Sequence, residues 1–543
     1  MLKRLHLFWV FLLGLTLAVP VTAEVYQYAV PAKNADGQPI MAYLWIPPEA
    51  ERVNGVLVGG LTLMEPEFAK DPIIRQACAA EQLAIVYFAP SLDALFNYKE
   101  KNSGDLLQKA LDDLASASGY REIAVAPLFS YGHSVSTIFA RNVAFWKPTR
   151  CFGVLLFKGG MGFPANDPEA SVLGVPILSV KGQFEEFGPG PSGVLRDFED
   201  RETAWKGTRD GLLRLREKDD RYLVSMLAEG GATHFAWSEP VARYVALFIR
   251  KAAQRRIPEW PVDAKQPVRL REIDPKSGAL TSGNIGKPAD QAAAPYAQFK
   301  GDPRKAFWHL DVELARANVA FHAGMFDKQS QFVTFADPKS GKPIFVGHDL
   351  RLRLGVHFVG AGTFRVAGTF LDKAPDKYPK TAGPVGHAAG PVRFRVFSGA
   401  IDQVAADTFR VSMDGRGRIR ADILAYHPGD ATYRYAEQQG RISLPERLTK
   451  GKTQAITFPP LGPLKTASPP LRLKATSDAG LPVRYYVESG PAVIEGDTLK
   501  LAEIPKRATF PLRITVVAYQ YGSAIEPLVQ SAEPVKQVLA VEK

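Results

Sequence analysis

Pro127-Leu128-Phe129-Ser130-Tyr131-Gly132-His133-Ser134-Val135-Ser136 decides how this chain folds. Pro127 to Tyr131 reads as a short, mostly apolar strand. A tight turn with a serine at its apex follows, and a helix begins after Ser134. Strand, turn and helix around a serine is the nucleophile-elbow layout, in which strain at the turn lifts the hydroxyl out of the sheet. The usual pattern is G-x-S-x-G; here Ser136 stands in place of the last glycine. Small residues are needed on both sides because neighbouring backbone approaches closely, and serine is small.

Working outward, residues 24–260 alternate strand and helix signals. Gly55 to Gly60 is a buried strand running into a loop, and Leu83 to Ala89 is another strand. Asp105 to Ala117 carries Leu106, Leu107, Ala110, Leu111 and Leu114 at helical spacing. Cys151 to Phe157, Val175 to Val180 and Leu223 to Ala228 are further apolar strands. Glu239 to Arg255 is the closing helix, with Ser238 as N-cap and Pro240 in its first turn. Such alternation predicts a mostly parallel sheet with helices on both faces.

A serine hydroxyl is a weak nucleophile at neutral pH. It needs a histidine to take its proton and a carboxylate to orient that histidine. Only nine histidines occur in the chain, and His234 stands out among them. It lies in Glu229-Gly230-Gly231-Ala232-Thr233-His234-Phe235-Ala236-Trp237, between the last strand and the last helix.

On the elbow, this alternation and that histidine loop, residues 24–260 resemble the α/β-hydrolase superfamily, near its compact esterase and dienelactone-hydrolase-like members. The resemblance implies Ser134 as nucleophile and His234 as base. Many members carry G-x-x-D after the strand that here is Val175 to Val180; in Lys181-Gly182-Gln183-Phe184-Glu185-Glu186 that position is Glu185. Glu186 is the competing acid, and Asp167 a weaker third. The oxyanion hole needs two backbone N–H groups. Val135 supplies one, and the loop after Gly60 the other, with Leu61 the first choice and Thr62 the second. Glu65, further along that loop, reads as a surface residue or a substrate contact. The resemblance implies no metal or organic cofactor.

Past residue 260 the texture changes. Residues 261–300 are polar and rich in Pro, Ala and Gly, like a linker. Residues 301–450 read as a β-rich middle module led by one amphipathic helix, Phe307 to Phe321. In it, Leu350 to Leu354 and Val392 to Val396 alternate apolar residues with arginine, which predicts a solvated arginine face or one that grips an acidic glycan. Residues 453–543 resemble the immunoglobulin-like sandwiches that end many exported bacterial proteins. That likeness rests on Q-A-I-T-F (454–458), L-P-V-R-Y-Y-V-E-S-G-P-A-V-I-E-G-D-T-L (481–499) and I-T-V-V-A (514–518). Such modules usually space, dock or adhere.

The ends and composition set the remaining bounds. Lys3 and Arg4, the apolar run Leu7 to Ala18 and Val21-Thr22-Ala23 read as a secretory signal peptide, residues 1–23, cleaved before Glu24. The chain carries a formal charge of +11 at pH 7, which suits acidic partners, but it holds no nucleic-acid motif. Two cysteines, Cys78 and Cys151, exclude a disulfide scaffold and leave open a single pair or two buried thiols. The expectation is therefore an exported serine esterase, acting on a polysaccharide-linked or small soluble ester. Two alternatives stand beside it: a non-catalytic glycan- or envelope-binding protein on a retired hydrolase scaffold, and a serine peptidase.

Overall fold

The structure, a computed structural model, describes residues 25–61, 63–159, 172–183, 185, 205–285, 290–326, 328–344, 351–374, 384–414 and 420–543. The expected signal peptide, Thr62, Asp167 and Glu186 lie outside the described residues.

The N-terminal unit is an α/β domain built on one eight-stranded, mostly parallel sheet. Its strands are β1 (Tyr28–Lys33), β2 (Pro39–Trp45), β3 (Gly55–Gly59), β4 (Leu83–Ala89), β5 (Leu128–His133), β6 (Cys151–Phe157), β7 (Ile177–Gly182) and β8 (Val224–Glu229). They lie in the order β1-β2-β4-β3-β5-β6-β7-β8. From β4 to β8 every pairing is parallel, while β1 and β2 close the other end antiparallel. The β5 strand sits at the centre, with Leu57 beside Phe129 and Tyr131 beside Leu155.

Period-two alternation divides each strand between two cores. In β3, Leu57 joins one apolar cluster with Phe129, Ile74, Val245 and Phe248; Val56 and Val58 join the other with Leu107, Leu111 and Leu114. The helices that supply these faces are α1 (Glu65–Lys70), α2 (Pro72–Ala80), α3 (Ser103–Ser118), α4 (Thr137–Trp146), α5 (Lys206–Lys218) and α6 (Glu239–Arg256). Asp71 caps α2 by accepting from the N–H groups of Ile73 and Ile74 at 2.8 and 3.2 Å, and Ser238 caps α6. Cys78 and Cys151 are both buried free thiols.

Two segments differ from the sequence expectation. Residues 261–300 contain strands Ala279–Ser282 and Ala294–Pro295, the first paired with Ala306–His309. Phe307 to His309 are therefore strand, and the helix α7 spans Val312–Phe326. Asp311 explains the late start: its side chain accepts from the Leu314 N–H at 2.9 Å, a capping bond the alternating apolar pattern did not reveal.

Helix α7 seals the open edge of the sheet. Asn318 donates to the Met226 carbonyl at 2.8 Å, and His322 Nε2 accepts from the Ala228 N–H at 3.0 Å. Four residues of helix rise about 6 Å and two residues of strand about 6.6 Å, so the two side chains match the outward groups of β8. Burial pushes the His322 ring down to about 3, which keeps it the neutral acceptor this bond needs.

Beyond α7, a four-stranded sheet runs Arg351–Leu354, Ala436–Ser443, Arg420–His427, Arg393–Ser398 in spatial order. The last 90 or so residues form small sheets, the largest made of Leu464–Lys465, Val535–Glu542, Leu512–Tyr519 and Arg484–Ser489. Their apolar residues Ile514, Val516 and Leu539 share one cluster with Leu107 and Leu111 of α3. Arg507 adds an ion pair to Glu122 at 2.8 Å and lies 4.8 Å over the Tyr120 ring. This part is packed onto the N-terminal α/β domain. Among the described residues no helix is long and apolar enough to cross a membrane.

Candidate active site

The turn after β5 has the strain its sequence foretells. Ser134 sits at φ +56°, the left-handed region that non-glycine residues avoid. Gly132 makes room for it: a Cβ there would lie 1.9 Å from the Ser136 carbonyl oxygen. Ser134 is half-buried, and Val135 is exposed at 43 % in the 3-10 turn that leads into α4. The first N–H groups of a helix have no intrahelical acceptor, so the Val135 amide suits an oxyanion. Leu61 lies half-buried in the loop after β3 and bridges to Ser91, with the Leu92 N–H donating to the Gly60 carbonyl at 3.1 Å.

Ser136 does more than tolerate the place of a glycine. Its hydroxyl bonds the buried carboxyl of Glu65, and it also contacts the His133 carbonyl at 3.1 Å. Glu65 Oε1 accepts from the His133 N–H at 3.0 Å, and Oε2 from the Leu63 N–H at 3.0 Å. One side chain thus ties the loop after β3 to the serine turn. Glu65 is 1 % exposed, so the expectation of a surface residue is corrected. Burial raises its pKa, and the bonds from Ser136, His133 and Leu63 only partly oppose it.

His234 lies in the loop after β8, 1 % exposed. Its Nδ1 is 3.3 Å from Glu185 Oε2. Its carbonyl is 2.8 Å from His133 Nε2, and the two rings lie 4.7 Å apart. The histidine loop is therefore bonded to the residue next to Ser134. Glu185 is buried, accepts from the Gly182 N–H at 2.8 Å and pairs with Lys181 at 3.4 Å. Burial pushes its carboxyl up; Lys181, His234 and Gly182 outweigh that and hold it below the usual carboxylate range.

Lys158 went unnoticed in the sequence. It follows β6 at φ +48° and is fully buried. Its ammonium bonds Glu229 at 3.0 Å and the carbonyls of Thr233 and Ala236 at 2.9 and 2.8 Å, on either side of His234. A signal was present: a lysine directly at the carboxyl end of an apolar strand, where α/β sheets place their ligand sites.

The middle sheet also reaches this loop. Arg395, expected on a solvated or glycan-gripping face, is half-buried and donates to the Trp237 carbonyl. Phe397 stacks on Phe235 at 4.8 Å. Glu437 Oε1 accepts from the Thr233 N–H at 3.0 Å and from the Thr233 hydroxyl, and Gln439 donates to that hydroxyl at 2.7 Å. These partners lie about 160 to 200 residues downstream, and no local pattern marks them.

No family model matches this sequence, and no curated protein matches it. Solved structures resembling its N-terminal part include a poly(3-hydroxybutyrate) depolymerase from Bordetella parapertussis. It is 12 % identical and is aligned over 43 % of this chain and 92 % of its own, with a TM-score of 0.29. A siderophore hydrolase from Aspergillus nidulans is 15 % identical over 45 % of this chain and 99 % of its own, with a TM-score of 0.29. An α/β serine hydrolase without a lid from Xanthomonas campestris is 15 % identical over 44 % and 97 %, with a TM-score of 0.27.

Proposed function

We propose that this protein is a serine hydrolase of carboxylic esters, with Ser134 as nucleophile, His234 as general base and Glu185 as the acid. One observation carries the reading: His234 faces Glu185 through Nδ1 at 3.3 Å while its carbonyl is held by His133, next to the strained Ser134. In this mechanism Ser134 Oγ attacks the ester carbonyl carbon and its proton passes to His234 Nε2. The Glu185 carboxylate orients the ring and stabilises the imidazolium. The amides of Val135 and Leu61 hold the oxyanion. Collapse expels the alcohol, which takes the proton back from His234. Water, deprotonated by His234, then releases the acid and regenerates Ser134. The lowered pKa of Glu185 supports its role, because the acid must stay ionised throughout.

The substrate class we favour is an ester borne by a polysaccharide or a small soluble molecule, met outside the cytoplasm. The basic charge and the pattern of residues 1–23 support that setting. We also read the last module as an immunoglobulin-like sandwich that docks rather than catalyses. A fluorophosphonate probe tests the reading: the mature protein labels at Ser134, and Ser134→Ala does not. An unlabelled native protein overturns it in favour of a binding protein on a hydrolase scaffold. Turnover of aminoacyl anilides with none of aryl esters overturns it in favour of a peptidase.

A further inference from the structure

The loop that carries His234 is poorly suited to hold a residue still. Gly230 and Gly231 precede it, and glycine loses more conformational freedom on ordering than any other residue. Its inner side is fixed by Lys158 through the carbonyls of Thr233 and Ala236. That leaves the N–H and hydroxyl of Thr233, the residue before His234, to be held from the other side.

The middle module supplies that hold. Glu437 Oε1 takes both Thr233 groups, and its Oε2 accepts from the Tyr435 hydroxyl at 2.5 Å. The module backbone reaches the loop as well: a Cβ on Gly231 would lie 1.7 Å from the Tyr435 carbonyl oxygen. Gly231, at φ +78°, is thus where the loop admits the module. Gln183, two residues before Glu185, accepts from the Gly231 N–H at 2.8 Å and from Arg434 at 3.1 Å. Base loop, acid loop and module meet in one network.

We propose that Glu437 of the middle module is a positioning residue for His234, so that the module completes the active site of the domain before it. The Thr233–Glu437 clamp fixes the peptide on which the imidazole is mounted, and with it the distance from His234 Nε2 to the serine turn. Glu437 touches neither substrate nor reacting atoms in this arrangement. The inference rests on the reading of His234 as general base.

The test uses the full chain and three variants. Glu437→Ala removes the clamp. Glu437→Gln keeps an oxygen for the Thr233 N–H. Thr233→Val removes the hydroxyl and keeps the N–H. On an aryl acetate, Glu437→Ala is expected to lower kcat by about 10–100-fold with KM changed less than about twofold, because a misplaced base costs rate rather than binding. Glu437→Gln recovers most of that loss, and Thr233→Val falls between. Hydrogen–deuterium exchange of residues 230–237 rises in Glu437→Ala and returns toward the native value in Glu437→Gln. Native kcat and native exchange in Glu437→Ala would overturn the proposal, as would a loss equal in the Ala and Gln variants. If Glu437→Ala fails to fold, the order of Thr233→Val and Glu437→Gln against the native protein decides. If the native protein turns over no ester, the hydrolase reading falls, and the exchange of the loop still decides whether Glu437 orders it.

Discussion

The two halves of the candidate site are held in place in different ways. The serine turn is fixed from inside its own domain. Gly132 leaves space for the strained backbone, and Glu65 bonds His133, Ser136 and Leu63 at once. The histidine loop is fixed from two remote directions, by Lys158 and by Glu437, Arg395 and Phe397 of the following module. The backbone strain at Ser134 is enforced within its own domain, by Gly132 beside it and by Glu65 from the loop after β3. Placing a base against that nucleophile is a matter of relative position, and distant residues can set it as well as near ones.

The comparison breaks most readily at the reacting groups. Ser134→Ala or His234→Ala should each lower kcat/KM on an aryl ester by about 10⁶-fold, and Glu185→Gln by about 10⁴-fold, as for members of a triad that act as a unit. Equal small losses in all three would show that the two halves do not work together. Next comes Lys158→Met, which leaves the buried Glu229 carboxylate without its cation. It should cost about 3–5 kcal/mol of stability by denaturant titration, with loss of ester turnover from the loosened loop. Unchanged stability would show that Lys158 does not anchor the loop from within.

The smallest expected effect is on the serine side. Glu65→Gln retains one acceptor and one donor, but leaves the N–H of either His133 or Leu63 facing an amide NH₂. It should cost about 1–3 kcal/mol. Glu65 and Glu185 also respond to pH in opposite senses. Glu65 has a raised folded pKa, so its contribution is complete below the ordinary value of 4.5 and is lost as pH rises through the raised one. Glu185 has a lowered folded pKa, so its contribution is present above 4.5 and is lost as pH falls through the lowered one. Thermal unfolding followed against pH should therefore show Glu65→Gln removing a fall in stability as pH rises above 4.5, and Glu185→Gln removing one as pH falls below 4.5. The reverse assignment would mean that the two carboxyls are shifted in the opposite senses.

What was legible in the sequence follows the same division. The elbow, the alternation of strands and helices and the loop holding His234 are local patterns of apolar period and turn residues, and they place β5, β8 and α6 well. Glu185 was reached only through the resemblance, as the residue at the G-x-x-D position, with Glu186 competing. The burial of Glu65 was not legible, because nothing in Met64-Glu65-Pro66 tells a buried carboxyl from an exposed one. Lys158 carried a weak positional signal. Arg395 and Glu437 carried none: Arg395 lies in a strand whose alternation reads as one face apolar and one face wet, and it is the wet face of Arg393–Ser398 that meets the Trp237 carbonyl, while Glu437 lies in a polar run, Glu437-Gln438-Gln439, with no apolar period. A polar residue on a strand records that it is not in that strand's own core; it does not record what covers it.

The bond between His322 and β8 bears on how the chain is made. During synthesis, β8 is complete some 90 residues before the helix that blunts its free edge. Until α7 emerges, Met226 and Ala228 present unpaired backbone groups on a hydrophobic edge strand, the kind of surface that recruits other strands. Truncation between α6 and α7 would make that interval permanent. A shortened N-terminal domain is then expected to aggregate during expression, whatever the integrity of Ser134 and Glu65, and solubility of such a fragment would show that the edge is protected in some other way.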